Sequence, residues 1–139
     1  MAVKQRSEVA VGDSFGPVSV TVTPAGLVAY ADASGDQNPI HQDRAFAESV
    51  GLPGIIAHGM WTMGASGTVV ADWVGDAGRI LEFRTRFTAM VPVPDEGTTI
   101  EVTGTVTKLE EDGRATIDVT TTNAGQKVLG RCVAVAQLD

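Results

Sequence analysis

The chain has 139 residues, a single cysteine and a formal charge of −7. That is length enough for one domain, 1–139, with its own core, and an acidic balance that argues against a nucleic-acid partner, because phosphate binding needs a dense cationic surface. Cys132 alone excludes an intrachain disulfide and a cysteine-based zinc site and fits a reducing compartment. No basic leader precedes a secretory-type apolar stretch, and the one long apolar segment is broken by Asp72 and many small residues, so a soluble cytoplasmic protein with no membrane span is expected.

Residues 18–23 alternate Val with Ser or Thr as an early strand; Thr23 then suits an N-cap and Pro24 the first turn of a short helix through Ala33. The next segment is Ala33-Ser34-Gly35-Asp36-Gln37-Asn38-Pro39-Ile40-His41. Asp36 and His41 are five residues apart, about 500° around a helix at roughly 100° per residue, so a helix cannot bring them to one face. Pro39 pushes Asn38 toward extended or turn geometry, and Gly35 and Asn38 tolerate positive φ, so a compact turn can converge the two side chains. Near neutral pH an aspartate is ionised and a histidine can accept a proton, so together they can hold and deprotonate one water. The same residue types also make ordinary turns, and an isolated Asp or His is commonly a cap or a solvated group.

Asp43 can cap a second short helix, Arg44 to Val50, that Gly51 ends before Pro53-Gly54 turns the chain. Seventeen residues after His41, His58-Gly59-Met60 opens an apolar helix running to about Val74. Glycine inside a helix costs roughly 1 kcal/mol relative to alanine, so Gly64 and Gly67 suggest close packing. Gly59 differs because it falls at the helix start, where unpaired N–H groups and the positive end of the dipole favour a developing negative oxygen, the geometry of an oxyanion site.

After Gly78, Leu81, Phe83, Phe87, Ala89 and Val91 alternate with polar residues as a half-buried strand. Further alternation at Ile100–Val106 and Ile117–Val119, with turns at Asp112-Gly113 and Asn123–Gly125, leads to a last strand, Val128 to Leu138, in an antiparallel meander. A long helix followed by such strands gives an α+β fold whose exposed sheet edges call for a second subunit. Arg79, Arg84, Arg86, Lys127 and Arg131 all fall in the second half, as solvated strand faces or as contacts for an anionic partner.

The motif Ser34-Gly35-Asp36-x-Asn38-Pro39-Ile40-His41, followed by Ala57-His58-Gly59-Met60, resembles that of the MaoC-like (R)-specific enoyl-thioester hydratases and dehydratases, proteins of hot dog fold. Val11-Gly12-Asp13, Trp73-Val74-Gly75-Asp76, Arg86-Phe87-Thr88-Ala89 and Val91-Pro92-Val93-Pro94 are similar as well, and the likeness is nearest to the B-type dehydratase subunits of actinobacterial type II fatty acid synthesis.

The resemblance implies a hot dog sheet wrapped around the long helix and an Asp36/His41 dyad that activates the water or holds it as it leaves. It implies that Asn38 shapes the loop and hydrogen-bonds the dyad, and that the Gly59 N–H polarises the thioester carbonyl. Pro39, Ile40, His58 and Met60 are the motif positions expected to border the substrate, His58 also fixing the helix entry through hydrogen bonds. Some relatives carry a serine that contacts the catalytic carboxylate where this chain has Gly67, with Ser66 turned about 100° away. The implied substrate is an acyl-CoA or acyl carrier protein thioester, with no cofactor or metal, and the implied assembly is a homodimer or a heterodimer with a second hot dog chain. A hot dog thioesterase, which releases free acid, and a non-catalytic partner subunit are the alternatives. The first usually lacks this motif pair, and the second has no reason to keep both Asp36 and His41.

Overall fold

The computed structural model describes residues 2–139. Strand β1 (Ser14–Val22) leads into helix α1 (Pro24–Ser34), helix α2 (Arg44–Ser49) and the long helix α3 (Gly59–Val74). Strands β2 (Ile80–Phe87), β3 (Thr98–Leu109), β4 (Arg114–Asn123), β5 (Gln126–Lys127) and β6 (Leu129–Gln137) follow, with short 3-10 turns at Arg6–Glu8, Pro39–His41 and Ala77–Arg79. Among the described residues no helix is long and apolar enough to cross a membrane.

The helix boundaries follow local chemistry. The Thr23 hydroxyl accepts from Gly26 N–H and the Asp43 carboxylate from Phe46 N–H, each satisfying a first-turn donor that the helix cannot. Gly35 ends α1 in the left-handed region at φ 82°, where its N–H still reaches the Ala31 carbonyl; a Cβ there would be strained.

All strand pairs are antiparallel in the order β1-β3-β4-β6-β2, with β5 hooked onto β4. The inner face is set by alternation: Ile100, Val102 and Val106 of β3, Ala115, Ile117 and Val119 of β4, and Ala134 and Ala136 of β6 are buried against Val69, Val70 and Val74 of α3. This is the hot dog arrangement, a sheet closed around one helix. Ser66 is a polar residue on that buried helix face, as is Thr62: the Ser66 hydroxyl donates to the Thr62 carbonyl at 2.8 Å and accepts from the Thr121 hydroxyl at 2.8 Å, so it is spent on the sheet.

Where β1 meets β3, Phe15 lies opposite Gly104 and stacks on Trp73 of α3 with ring centroids 4.7 Å apart. A Cβ on Gly104 would collide with the Phe15 ring. Gly104→Ala should therefore destabilise the fold by about 1–3 kcal/mol, read as a lower midpoint in urea at unchanged slope.

Three expectations need correction. The strand after Gly78 stops at Phe87 and does not run to Val91, because Thr88 and Ala89 both donate to the Val128 carbonyl and the chain turns off the sheet. Val91 and Val93 are buried for another reason: the Ala57 N–H donates to Val91 and the Val93 N–H to Ile55, a short pairing beside α3. The strands are not a simple meander either, since β2 crosses to the far edge beside β6. Gly64 is not closely packed, as a Cβ there would meet nothing within 4 Å, while Gly67 has only ordinary contact with Phe83 at 3.8 Å.

Candidate active site

The α1–α2 connection is held by its own polar groups. Asp36 N–H donates to the Ser34 hydroxyl, and Asn38 N–H donates to Oδ1 of Asp36 at 3.2 Å. The Asn38 side chain accepts from Ile40 N–H at 3.2 Å, capping the turn Pro39–His41. Asn38 thus meets the Asp36 carboxylate through its backbone, and its amide oxygen is spent on the turn that aims His41.

That turn brings Asp36 and His41 together. Nε2 of His41 lies 3.9 Å from Oδ2 of Asp36, with the imidazole buried and the carboxylate about half exposed. The other ring nitrogen, Nδ1, lies 2.7 Å from the Ile56 carbonyl. A carbonyl only accepts, so in the neutral ring Nδ1 carries the proton and Nε2 presents its lone pair toward Asp36. A separation of 3.9 Å is too long for a direct hydrogen bond, and a water between the groups can bond to both.

His58 sits behind this pair, 1 % exposed. Its ring stacks on His41 with centroids 3.8 Å apart and meets Tyr30 edge-on at 4.8 Å. Nε2 donates to the Asp36 carbonyl at 3.1 Å, which leaves Nδ1 as a buried acceptor with no partner among the described residues. Burial holds the His58 imidazole below its ordinary value of 6.5; its bond to the Asp36 carbonyl opposes this, and His41 pushes the same way as burial. The folded chain therefore resists a proton that the unfolded chain accepts. Stability from neutral His58 is complete above about pH 6.5 and is lost progressively as the pH falls below that value toward the lowered value of the folded chain. Thermal melts of wild type and His58→Gln, whose amide can replace the Nε2 donor, should show the wild-type advantage shrinking between about pH 8 and pH 5.

Asp36, His41 and His58 place one ligand atom each within 4.8 Å of one another. The two imidazoles are stacked within 21° of parallel, and one nitrogen of each is bonded to a backbone carbonyl, so their lone pairs do not aim at a common point as a tetrahedral metal requires. The cluster suits proton handling better than metal binding.

Beside His41 opens a cavity of about 430 Å³ whose walls include Gly59, Thr62, Phe87, Met90 and Val91. Gly59 is the first residue of α3, so its N–H has no intrahelical acceptor, and the residue borders this space. Space at Gly59 is restricted, as an added Cβ would come within 3.1 Å of the Phe87 ring. Pro39, Ile40, His58 and Met60 do not line the cavity; Met60 is exposed on the outer side of α3, and His58 lies behind His41. Residues without a signal in the motif do line it: Thr62, one turn after Gly59, and Phe87 at the end of β2. The Ile56 carbonyl that sets the His41 tautomer is likewise silent in the sequence, since any residue type could supply it.

Comparison with known proteins agrees with this architecture. The MaoC like domain matches residues 6–128. The fatty acid synthase beta subunit TOXC of Cochliobolus carbonum is 49% identical over 74 residues, 52% of this chain but 4% of the synthase subunit. A solved MaoC-like dehydratase superposes with a TM-score of 0.95 at 32% identity, covering 99% of this chain and 43% of that one. An (R)-hydratase from A. caviae involved in PHA biosynthesis gives a TM-score of 0.83 at 27% identity, covering 94% and 98%. The chain thus spans a small fraction of the synthase subunit it matches and nearly the whole of the free-standing hydratase. With the match over residues 6–128 and a sheet closed on one long helix, the chain belongs to the MaoC-like dehydratase domain family.

Proposed function

We propose that the chain adds water across the trans-2 double bond of an enoyl thioester to give the (R)-3-hydroxyacyl thioester, or removes it in the reverse direction. The observation that carries this reading is the 3.9 Å gap between Asp36 and His41, with His41 fixed in the tautomer that leaves Nε2 open. A water bonded to both is deprotonated as its oxygen forms a bond to C3; the π electrons move toward the carbonyl, and the proton taken by the dyad is delivered to C2. The Gly59 N–H stabilises the enolate-like oxygen that develops on the thioester. Every proton and electron pair is supplied by substrate, water and side chains, so no cofactor enters. The (R)-hydratase among the relatives supports the reaction and its stereochemistry.

The carrier is coenzyme A or acyl carrier protein, and the assembly is a dimer of two hot dog chains. Strand β2 supports the dimer: it pairs on one side only and leaves Leu81 and Phe87 more than half exposed.

The test follows the ultraviolet absorbance of the conjugated enoyl thioester with short and long trans-2-enoyl-CoA substrates, with chiral analysis of the product. Loss of absorbance yielding the (R)-3-hydroxyacyl thioester is expected. Release of free thiol would make the chain a thioesterase and overturn the proposal.

A further inference from the structure

The cavity beside His41 has a mostly apolar wall, with Ile56, Ala57, Val91, Val128 and Leu129 in it. Among the described residues only His41, Thr62 and Thr88 bring polar side chains to that wall, and Thr88 is exposed to solvent. Thr62 is 3 % exposed and shares the interior with His41.

Its hydroxyl differs from the others on α3. Ser66 donates to the Thr62 carbonyl at 2.8 Å and Thr68 to the Gly64 carbonyl at 2.9 Å, each bonding back to the carbonyl four residues earlier. The Thr62 N–H reaches the His58 carbonyl at 3.2 Å, but the Thr62 hydroxyl bonds to none of the described residues. Nor is it sealed in the core, since Nδ1 of His58 is the only enclosed side-chain nitrogen or oxygen without a partner among the described residues. An unbonded, unsealed hydroxyl on a buried residue of the cavity wall opens into the cavity.

Helical side chains lean back toward the N-terminus, so this hydroxyl lies over the turn that begins at Gly59. Thr62 follows Gly59 by three residues, on the same helix face, and both border the one cavity. Valine has the shape of threonine without the hydroxyl, and burying a hydroxyl that has no partner in the protein opposes folding. A polar group held this way in an apolar pocket is placed for an oxygen of the ligand.

Accepting the enoyl-thioester reading above, on which this step rests, the ligand oxygen next to the reacting carbons is the thioester carbonyl. We infer that Thr62 is a second catalytic donor: its hydroxyl and the Gly59 N–H each take one lone pair of that oxygen, and both bonds tighten as the enolate develops. The proton stays on the Thr62 hydroxyl throughout, and the proton that reaches C2 comes from the water by way of Asp36 and His41.

Thr62→Val and Thr62→Ser separate the hydroxyl from the shape of the side chain. With crotonyl-CoA, T62V should lower kcat about 10 to 10²-fold at nearly unchanged KM, and T62S should keep most of the wild-type rate. T62V should melt no lower than wild type, since it gives up no bond within the protein. A second readout needs no turnover: the infrared band of the thioester carbonyl, isotope-labelled at that carbon, is compared for crotonyl-CoA bound to D36N and to D36N carrying T62V. Loss of a hydrogen bond should move the band to higher frequency in the double variant. Wild-type kcat in T62V, an unmoved band, or a lost rate matched by a lower melting temperature would overturn the inference, and hydration by wild type would still stand. A band that depends on Thr62 in a chain that hydrates nothing would keep the donor and remove the proposed chemistry.

Discussion

Asp36→Asn and His41→Asn should each lower turnover about 10² to 10⁴-fold with the fold retained, the usual scale for loss of a general base. The choice of variants follows from their hydrogen bonds. Asn at position 36 keeps an oxygen for the Asn38 N–H while losing the charge that holds a water. Asn at position 41 can still donate to the Ile56 carbonyl, as Nδ1 does, but offers nothing in place of Nε2. His41→Ala should lose comparable activity and also stability, because the half-buried Ile56 carbonyl loses its donor and the His58 ring loses its stacking partner. If both groups act on one water, the double variant should be little worse than either single one, since half a dyad no longer positions the nucleophile. Steady-state rates of the three variants beside their melting curves check this. Wild-type turnover in either single variant would remove the dyad, and multiplicative losses would mean that the two side chains serve separate steps.

What the sequence revealed and what it hid divide along the range of the interaction. Caps at Thr23 and Asp43 and the span of α3 from Gly59 to Val74 were legible because each is decided within a few residues by a side-chain acceptor or a glycine. The approach of Asp36 to His41 was legible for the same reason, Asn38 and Pro39 building the turn locally. The position of β2 at the sheet edge was not, because strand order depends on residues fifty positions away and leaves alternation unchanged. The run of alternation through Val91 misled because Val91 is buried by Ile55–Ala57, and burial has the same period whichever partner supplies it. In the site, the stack of His58 on His41 and the Ile56 carbonyl were invisible: one joins residues seventeen apart, and the other is a backbone atom common to every residue.

Gly59→Pro should lower kcat about 10² to 10³-fold relative to Gly59→Ala, the scale for loss of one oxyanion donor. The pair separates two roles that one glycine combines. Both substitutions place a Cβ about 3.1 Å from the Phe87 ring, and Phe87 is exposed at the end of β2, where it has room to shift. Proline alone removes the N–H. It can do so without breaking α3, because the first helical position uses no intrahelical donor and favours the fixed φ of proline. His58, which would precede it, already has ψ 133°, within the range that a following proline imposes. Matched melting temperatures for the two variants with unequal kcat would locate the oxyanion donor at this backbone N–H. Equal losses in both would mean that crowding at Phe87, and not the missing N–H, lowers the rate, and the thioester oxygen would then be polarised by another donor on the cavity wall, of which the buried Thr62 hydroxyl is the nearest along α3.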